Sequence, residues 1–594
     1  MCGFLVIISE KNKLDFEENY LHNLIGHRGP DMRNYFLSKE KKEILYFARL
    51  SINDLSINGN QPFEYLNYLL VANCEIYNFR ELRKKLEHKY YFKSNSDAEV
   101  LLYSFIEWGE DFIKKIDGMF AIAIFNKKNK DLIIYRDRVG IKPLYYYHNN
   151  NYLIISSEFL PIVEILKKLK LEISLNADSI ENYFIGPFNF LHNTHVKGVF
   201  KVPPSNYLVF KNFIKYQKEY NSFSNIKKSN LSFFEETKNF DRIFDQNLSK
   251  HLVSDVPISV MLSGGLDSSF IATLASRNLK NRAINTATIN IDDTLTEFEI
   301  NNIRDLSKKI NLENSILNVS SKNIINDIFK NISVYDDLQS SDAGYLTNFE
   351  IAKSLKKNNI KVVLVGDGAD ELLGGYSWFG LSKIPFCILP KKIKTFLYIY
   401  ATSRIYSKKG TYKVYTKYYN EIKKFRGDYF DVITKNELLN QLPNNYLMKV
   451  DKPFMRCGIE ARVPFLDNNV INFCISLKNE FKLKGYVYGP SSFLKPNEKY
   501  ILREAFKKQL NTSITSAKKK GFSISIFKMI QENRDIFKSV LLDEKSFLFN
   551  ETKSSIEKNI NKVEKSSYNP FKKQREIYIW KLFLFNIWKK KYAL

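Results

Sequence analysis

Three groups of residues in this chain have the types and spacing of reacting groups. The first is Cys2. Removal of Met1, which a small second residue permits, makes Cys2 the first residue, carrying both a thiol and a free α-amino group. An α-amino group titrates at about 7.7–8.0, so it can take the thiol proton without a histidine partner. The second group is Ser263-Gly264-Gly265-Leu266-Asp267-Ser268-Ser269, set between an apolar run and a helical stretch. Its glycines let backbone N–H groups face an anion, its serines add hydroxyls, and the amino end of the helix adds positive potential. Together these make a cradle for pyrophosphate. No Gly-Lys-Ser/Thr follows, which separates it from the ATPase P-loop. The third group, Gly366-Asp367-Gly368-Ala369-Asp370-Glu371, follows the apolar run Lys361 to Val365. Carboxylates at a strand end, opposite a pyrophosphate loop, suit Mg²⁺, which takes a few carboxylates plus oxygens of its substrate.

These groups need elements to hold them. The first ~200 residues read as short strands: Gly3 to Ile8, Ile44 to Ala48, Leu69 to Asn73, Met119 to Phe125 and Leu132 to Tyr135. Helical rhythm appears at Phe79 to Leu86 and Ala98 to Trp108, the second with Ser96-Asp97 as its cap. This predicts an α+β domain of stacked sheets flanked by helices, residues 1–215. The turn-rich Val202-Pro203-Pro204-Ser205-Asn206 and the polar, aperiodic Lys211 to Asn230 mark its end. Beyond, apolar runs at Ser259 to Leu262, Ala287 to Ile291 and Lys361 to Val365 read as buried parallel strands between helices. Strand, glycine turn and helix recur at two of them. The expectation for 230–594 is an α/β domain with a parallel sheet, its ligands at the carboxyl ends of the strands, and a helical C-terminal part. The aromatic stripe Glu576 to Trp588 is read as helix packing.

His27-Arg28-Gly29-Pro30-Asp31, Arg49-Leu50-Ser51-Ile52-Asn53, Gln61-Pro62, Asn73-Cys74-Glu75-Ile76-Tyr77-Asn78 and Ser96-Asp97 give the amino-terminal part a pattern that resembles the class II glutamine amidotransferases. These are amino-terminal-nucleophile glutaminases. The resemblance implies that Cys2 attacks glutamine and that Arg49 binds its carboxylate and Asp97 its α-ammonium. It also implies an oxyanion hole from Asn73 and the backbone N–H of Cys74, with Leu50, Ser51, Ile52, Asn53 and Glu75 lining the glutamine site. Cys74 stands where that family usually has glycine. Any residue keeps the backbone donor, but a glycine-type positive φ there would strain cysteine by ~1–3 kcal/mol. The pattern continues through Asp117 to Phe120, Arg136 to Tyr145 and Ser157-Glu158, read as scaffold and interface positions.

The Ser263 loop resembles the PP-loop of ATP pyrophosphatases, which cleave between the α and β phosphates. With Gly458 to Asp467, Glu498 to Glu504 and Lys518-Lys519-Lys520-Gly521-Phe522, nearly the whole chain is similar to the asparagine synthetases. That similarity implies an ATP site at Met261, Leu262, Ser263, Gly264, Gly265, Asp267, Ser268, Ile289, Val365 and Gly366, and Mg²⁺ ligands at Asp267 and Asp370. It implies roles for Asp367 in acyl-adenylate formation and ammonia attack, and for Lys499 in neutralising the α-phosphate. Val365 replaces the usual serine, and the usual Phe and Gly are absent around Ala287 and Asn290.

Composition narrows the alternatives. With 44% hydrophobic and 26% charged residues over 594, the chain has material for two large cores and is not disordered. Its apolar stretches are far shorter than the ~20 residues of a membrane helix. The net charge of +26 is spread in short lysine groups with no basic stripe, which argues for a solvated surface over a nucleic-acid footprint. Retention of Cys2, Arg49, Asp97, Asp267, Asp370 and Lys499 argues against an inactivated scaffold. Five cysteines without a CxxC pair suggest neither a disulfide framework nor a zinc site and fit a reducing cytoplasm, and no secretory signal is read. The reading is a glutamine-, ATP- and Mg²⁺-dependent amidation of aspartate through an acyl-adenylate, with no nucleic-acid or membrane partner and a homodimer left open. The alternative is the same machinery acting on another carboxylate, such as a sugar uronic acid, with acceptor contacts drawn from loops such as Ser333 to Thr347.

Overall fold

A computed structural model describes residues 2–186, 192–279, 284–291, 295–383, 386–403, 411–485, 498–516, 525–563 and 570–594. The Lys518 to Phe522 motif and Met1 lie outside them.

The amino-terminal half holds two six-stranded sheets. One has the order β10(Val199–Lys201), β8(Tyr145–His148), β9(Tyr152–Ser156), β1(Cys2–Ser9), β3(Glu43–Arg49), β2(Met32–Leu37). The other runs β12(Ile214–Glu219), β11(Asn206–Lys211), β7(Leu132–Arg136), β6(Gly118–Asn126), β5(Tyr68–Ile76), β4(Phe63–Tyr65). Strand alternation explains the layers. Cys2, Phe4, Val6 and Ile8 of β1 meet Leu69, Val71, Ala121 and Ala123 between the sheets. Leu5 and Ile7 point outward onto Leu21, Ile25 and Ile162 of helices Glu18–Ile25 and Phe159–Lys168. On the far side, Leu70, Ala72 and Ile76 of β5 pack with Leu82, Leu101 and Phe105 of helices Phe79–Leu86 and Glu99–Trp108. The order is helices, sheet, sheet, helices. A strand covered on both faces reads as a continuous apolar run, which is why Gly3 to Ile8 was legible.

One expectation is refined and one corrected here. The polar, aperiodic Lys211 to Asn230 contains β12, an antiparallel edge partner of β11. All six β12 residues are exposed, so no alternation marks them. Ser96-Asp97 does not cap the helix Glu99–Trp108. Its N-cap is Ala98 with no side-chain bond, and Asp97 instead accepts the Ile76 N–H at 2.8 Å.

The carboxy-terminal half is built on a five-stranded parallel sheet, β15(Leu312–Val319), β14(Ile284–Ile291), β13(Ile258–Met261), β16(Val362–Leu364), β17(Glu460–Arg462). The Ser263 loop leaves the carboxyl end of β13 and the Gly366 loop that of β16, side by side because the two strands pair. The terminal helix Pro570–Lys591 buries Trp580 and Trp588 completely, and their indole N–H groups donate to Ser341 O and Asp336 O at 2.9 and 2.7 Å.

Charged side chains, buried with their partners, join the halves. Arg28 donates to both Asp451 oxygens at 2.9 and 3.3 Å, to Glu158 at 3.0 Å and to the Cys2 carbonyl at 3.2 Å. Lys452 reaches Asp336 at 3.1 Å and Asp337 at 2.5 Å, and Asp337 also accepts from the Tyr145 hydroxyl. Asp336 accepts the Phe159 and Leu160 N–H groups at the start of helix Phe159–Lys168 of the amino-terminal half. Within the Ser333 to Thr347 segment, Asp336, Asp337 and Gln339 are buried and bond across to the amino-terminal half, while Ser340 donates to Asn445 in its own half.

Removing one member of a buried pair leaves a charge with no counterion. Arg28→Ala is expected to cost about 3–5 kcal/mol, read as a lower urea midpoint. Lys114→Ala, which breaks an exposed pair with Asp111, should leave the midpoint unchanged.

Candidate active sites

Two sites lie at strand ends, one in each half. The first surrounds Cys2, which opens β1 opposite Arg49 of β3. The Cys2 backbone nitrogen donates to Asn73 Oδ1 at 3.1 Å. That contact fixes the amide orientation, so Asn73 Nδ2 is the buried donor with no protein partner. Beside it, the β5 edge carries the N–H groups of residues 72, 74 and 76, which point the same way because strand backbone groups alternate. Ala72 N–H goes to Gln61 Oε1 at 2.6 Å and Ile76 N–H to Asp97 Oδ2 at 2.8 Å. The Cys74 N–H lies between them, facing the cavity lined by Cys2, Arg49, Cys74, Glu75 and Asp97. Opposite Cys74, Phe120 directs its own N–H and C=O to Asp137 rather than to β5.

Cys74 is an ordinary strand residue. Its φ is not among the positive values in the described chain, and it pairs within the β5–β6 ladder. The strain expected of a cysteine in a glycine position is absent, because the site takes an extended backbone that any residue adopts.

Arg49 is turned onto the main chain of the next loop, donating to Ser56 O at 2.6 Å, Asn53 O at 3.4 Å and Asp54 O. The cavity has about 30 Å³, room for a water or two. Of the other residues placed here from sequence, Leu50 and Ile52 pack on Val362 and Met455 of the other half. Ser51 N–H is held by Asp31 at 2.7 Å, and Asn53 Nδ2 donates to Glu75 Oε1 at 2.7 Å. Burial pushes the Cys2 thiol up, opposed by the Leu50 backbone bond and Arg49. Burial also pushes Asp97 up to about 6, against the pull of the Ile76 N–H.

The second site joins the loops after β13 and β16. Ser263 and Ser268 hydroxyls lie 3.0 Å apart, and Ser268 also donates to Gly265 O. Gly264 adopts φ +71, and a side chain there would meet Glu299 O at 3.0 Å. Helix Leu266–Asn278 starts at Gly265 without a side-chain cap, leaving its first N–H groups to face the loop. Met261 ends β13 opposite Ala287, Leu262 just after it donates its N–H to Ala287 O at 2.9 Å, and Ile289 and Val365 are buried. A Cβ on Gly366 would stand 3.1 Å from that of Asp267, so the two loops touch.

Lys499 converges on both. Its ammonium lies 2.7 Å from each Asp267 oxygen and 2.5 Å from Asp370 Oδ1. Its backbone is left-handed, φ +56, a conformation costing roughly 1–2 kcal/mol. A cation thus already sits between the two carboxylates expected to hold Mg²⁺. Among the described residues no three His, Cys, Asp or Glu side chains form a metal site by themselves. Two carboxylates beside a phosphate cradle nevertheless fit an ion that completes its shell with substrate oxygens.

Residues 1–221 match the glutamine amidotransferase domain model and 239–590 the asparagine synthase model, so the chain belongs to the asparagine synthase family. It is 28% identical to asparagine synthetase [glutamine-hydrolyzing] 1 of Bacillus subtilis, covering 99% of this chain and 96% of that protein. A second B. subtilis relative, asparagine synthetase [glutamine-hydrolyzing] 3, is 27% identical over 92% of each chain. No helix of the described residues is long and apolar enough to cross a membrane.

Gly375 sets the geometry of the second site, since a Cβ there would fall 1.9 Å from Asp370 Oδ1 and 2.5 Å from Lys499 Cε. Gly375→Ala is expected to dislodge Asp370 at a stability cost of about 1–3 kcal/mol, and calorimetry should show weakened ATP binding. Cys74→Gly relieves no strain, so it should leave glutamine turnover near wild type while slightly lowering the melting temperature.

Proposed function

We propose that the protein is a glutamine-dependent asparagine synthetase, with residues 1–215 releasing ammonia from glutamine and 230–594 amidating aspartate. The observation that carries the reading is the Cys2–Asn73 contact with Asn73 Nδ2 left unpartnered beside it. That is the donor an acyl-transfer oxyanion requires, already aimed and desolvated.

In this reading the α-amino group of Cys2, freed of Met1, takes the thiol proton and the sulfur attacks the glutamine amide carbon. Asn73 Nδ2 and the Cys74 N–H stabilise the tetrahedral oxygen. Ammonia leaves, and water hydrolyses the γ-glutamyl thioester. Arg49 exchanges its loop carbonyls for the glutamine carboxylate, opening the cavity, while Asp97 meets the α-ammonium. In the other half the Ser263 loop and the helix amino end hold the pyrophosphate of ATP. Lys499 shifts from the carboxylates to the α-phosphate as the aspartate side-chain carboxylate attacks phosphorus and pyrophosphate departs. Ammonia then displaces AMP from the acyl-adenylate, and Asp367 takes its proton. Asp267 and Asp370 would hold Mg²⁺, which neutralises phosphate charge when bound. The protein acts in the cytoplasm and without nucleic acid or membrane.

The deciding experiment measures glutamine- and ATP-dependent AMP release with a panel of acceptor carboxylates. Aspartate should be the substrate; turnover of a uronic acid but not aspartate would replace the reading. Cys2→Ala should abolish glutamine-dependent synthesis and spare the ammonia-dependent reaction, because the halves carry separate chemistry. Asn73→Ala should lower glutaminase kcat by about 10²–10³ with intact synthetase activity. The Asp97 carboxyl must be charged to hold an ammonium, and in the empty pocket it protonates at about 6. Glutamine binding to the Cys2→Ala protein should therefore weaken as pH falls through about 6, approaching a loss of about tenfold per unit well below it, as titration calorimetry would show.

A further inference from the structure

The glutamine pocket is not completed by its own half of the chain. Glu75, on β5, divides its carboxylate between two partners. Oε1 accepts from Asn53 Nδ2 at 2.7 Å, while Oε2 lies 3.0 Å from Arg462 Nη2 on β17 of the synthetase half. Arg462 is fully buried, and its remaining donors are fixed. Nε donates to Glu460 Oε1 at 2.5 Å, and Nη1 donates to the carbonyls of His251 and Val253 at 2.6 and 2.7 Å. A planar guanidinium clamped on two sides presents one remaining edge, and that edge meets Glu75.

We propose that Arg462 is a positioning residue for glutamine hydrolysis, holding the Glu75 carboxylate, and through it Asn53, in the pose that binds glutamine. The inference rests on the glutamine reading of the Cys2 pocket.

Three features support it. Glu75 and Asp97 line one cavity, so the pocket gathers negative charge for an ammonium, and Glu460 stands behind them. Burial pushes Glu75 up to about 8 even with Arg462 opposing it, and Glu460 and Asp97 add to the rise. Without the guanidinium the carboxyl would hold its proton more tightly still, and its Oε2 edge would lose the contact that fixes its pose. Finally, the Arg462 main chain is bound into the parallel sheet. It pairs with Leu364, and its carbonyl accepts the Val365 N–H at 3.0 Å, one residue before Gly366-Asp367. One residue thus touches the glutamine pocket with its side chain and abuts the Gly366 loop with its backbone, so glutamine recognition requires the halves to be docked.

The test is steady-state glutaminase kinetics on the full chain for Arg462→Gln and Arg462→Lys, with ammonia-dependent AMP formation as the measure of folding. Arg462→Gln should raise KM for glutamine at least about tenfold, the loss expected when one partner of a buried ion pair is removed, with a smaller change in kcat. The acid limb of glutamine kcat/KM should move to higher pH, and Arg462→Lys, which keeps the charge, should recover most of both. Unchanged KM in Arg462→Gln, or no recovery in Arg462→Lys, would overturn the proposal.

Should Arg462→Gln fail to fold, it is combined with Glu75→Gln, which leaves no unpaired carboxylate at Glu75. Because Arg462 acts through Glu75, the double variant should bind glutamine no worse than Glu75→Gln alone, whereas a further loss would refute the positioning role. Retained glutaminase activity in Cys2→Ala would instead remove the pocket reading itself, a result separable from either outcome.

Discussion

The docking of the two halves depends on charge that cannot be buried alone. Arg28, Asp451, Glu158, Lys452, Asp336, Asp337, Glu75 and Arg462 are all within a few per cent of full burial. An apolar seam tolerates sliding, since burial is non-directional. A bidentate Arg28–Asp451 pair and a Lys452 held between two aspartates do not. Any other register would strand a desolvated charge at a cost of several kcal/mol. The seam therefore selects one relative placement, and it does so next to the chemistry, because Arg28 also binds the Cys2 carbonyl and Arg462 also binds Glu75.

Within that frame the reacting groups occupy positions where backbone groups are naturally unpaired. Cys2 begins a strand, Cys74 lies on a β5 edge beyond the short β4 partner, and the Ser263 and Gly366 loops follow carboxyl ends of adjacent parallel strands. Unused N–H groups at such places bind oxyanions and phosphates with little reorganisation. The left-handed Lys499 is the exception, an unfavourable backbone conformation held by surrounding contacts. Its ammonium balances Asp267 and Asp370, so like-charged carboxylates can remain close with no ligand between them.

The layers were legible because buried strands leave continuous apolar runs, as β1, β3 and β6 do, and because glycine turns mark the β13 and β16 loops. Elements with the opposite signature were not. β12 is exposed throughout, and β2 carries three exposed residues among six. The first-site motifs were readable as a constellation, but their mutual geometry was not. Nothing local in Asp97 says that it will take the Ile76 N–H rather than cap its helix, or in Arg49 that it will rest on loop carbonyls. The seam was hardest to see. Arg28 and Asp451 are 423 positions apart, and a charge pair leaves no periodicity behind. Arg462 lay inside a recognised motif, yet its contact with Glu75 follows only from the docked halves.

The departures from the family pattern fall where side chains matter least. Cys74 supplies an N–H from an extended strand, and its side chain joins the apolar layer of Ala72, Ala98 and Leu101, on the other face of β5 from Asn73. Val365 is buried and tied by its own N–H to Arg462 O, so its contribution to the loop is likewise made by the main chain. A strand constrains the direction of backbone donors through its ladder, and the ladder is indifferent to which compact side chain is attached. Substitution is therefore cheap at positions 74 and 365. At Asn73, Asp97, Asp370 and Lys499 the proposed roles fall on side-chain atoms themselves, so there the residue type matters as it does not at 74 and 365.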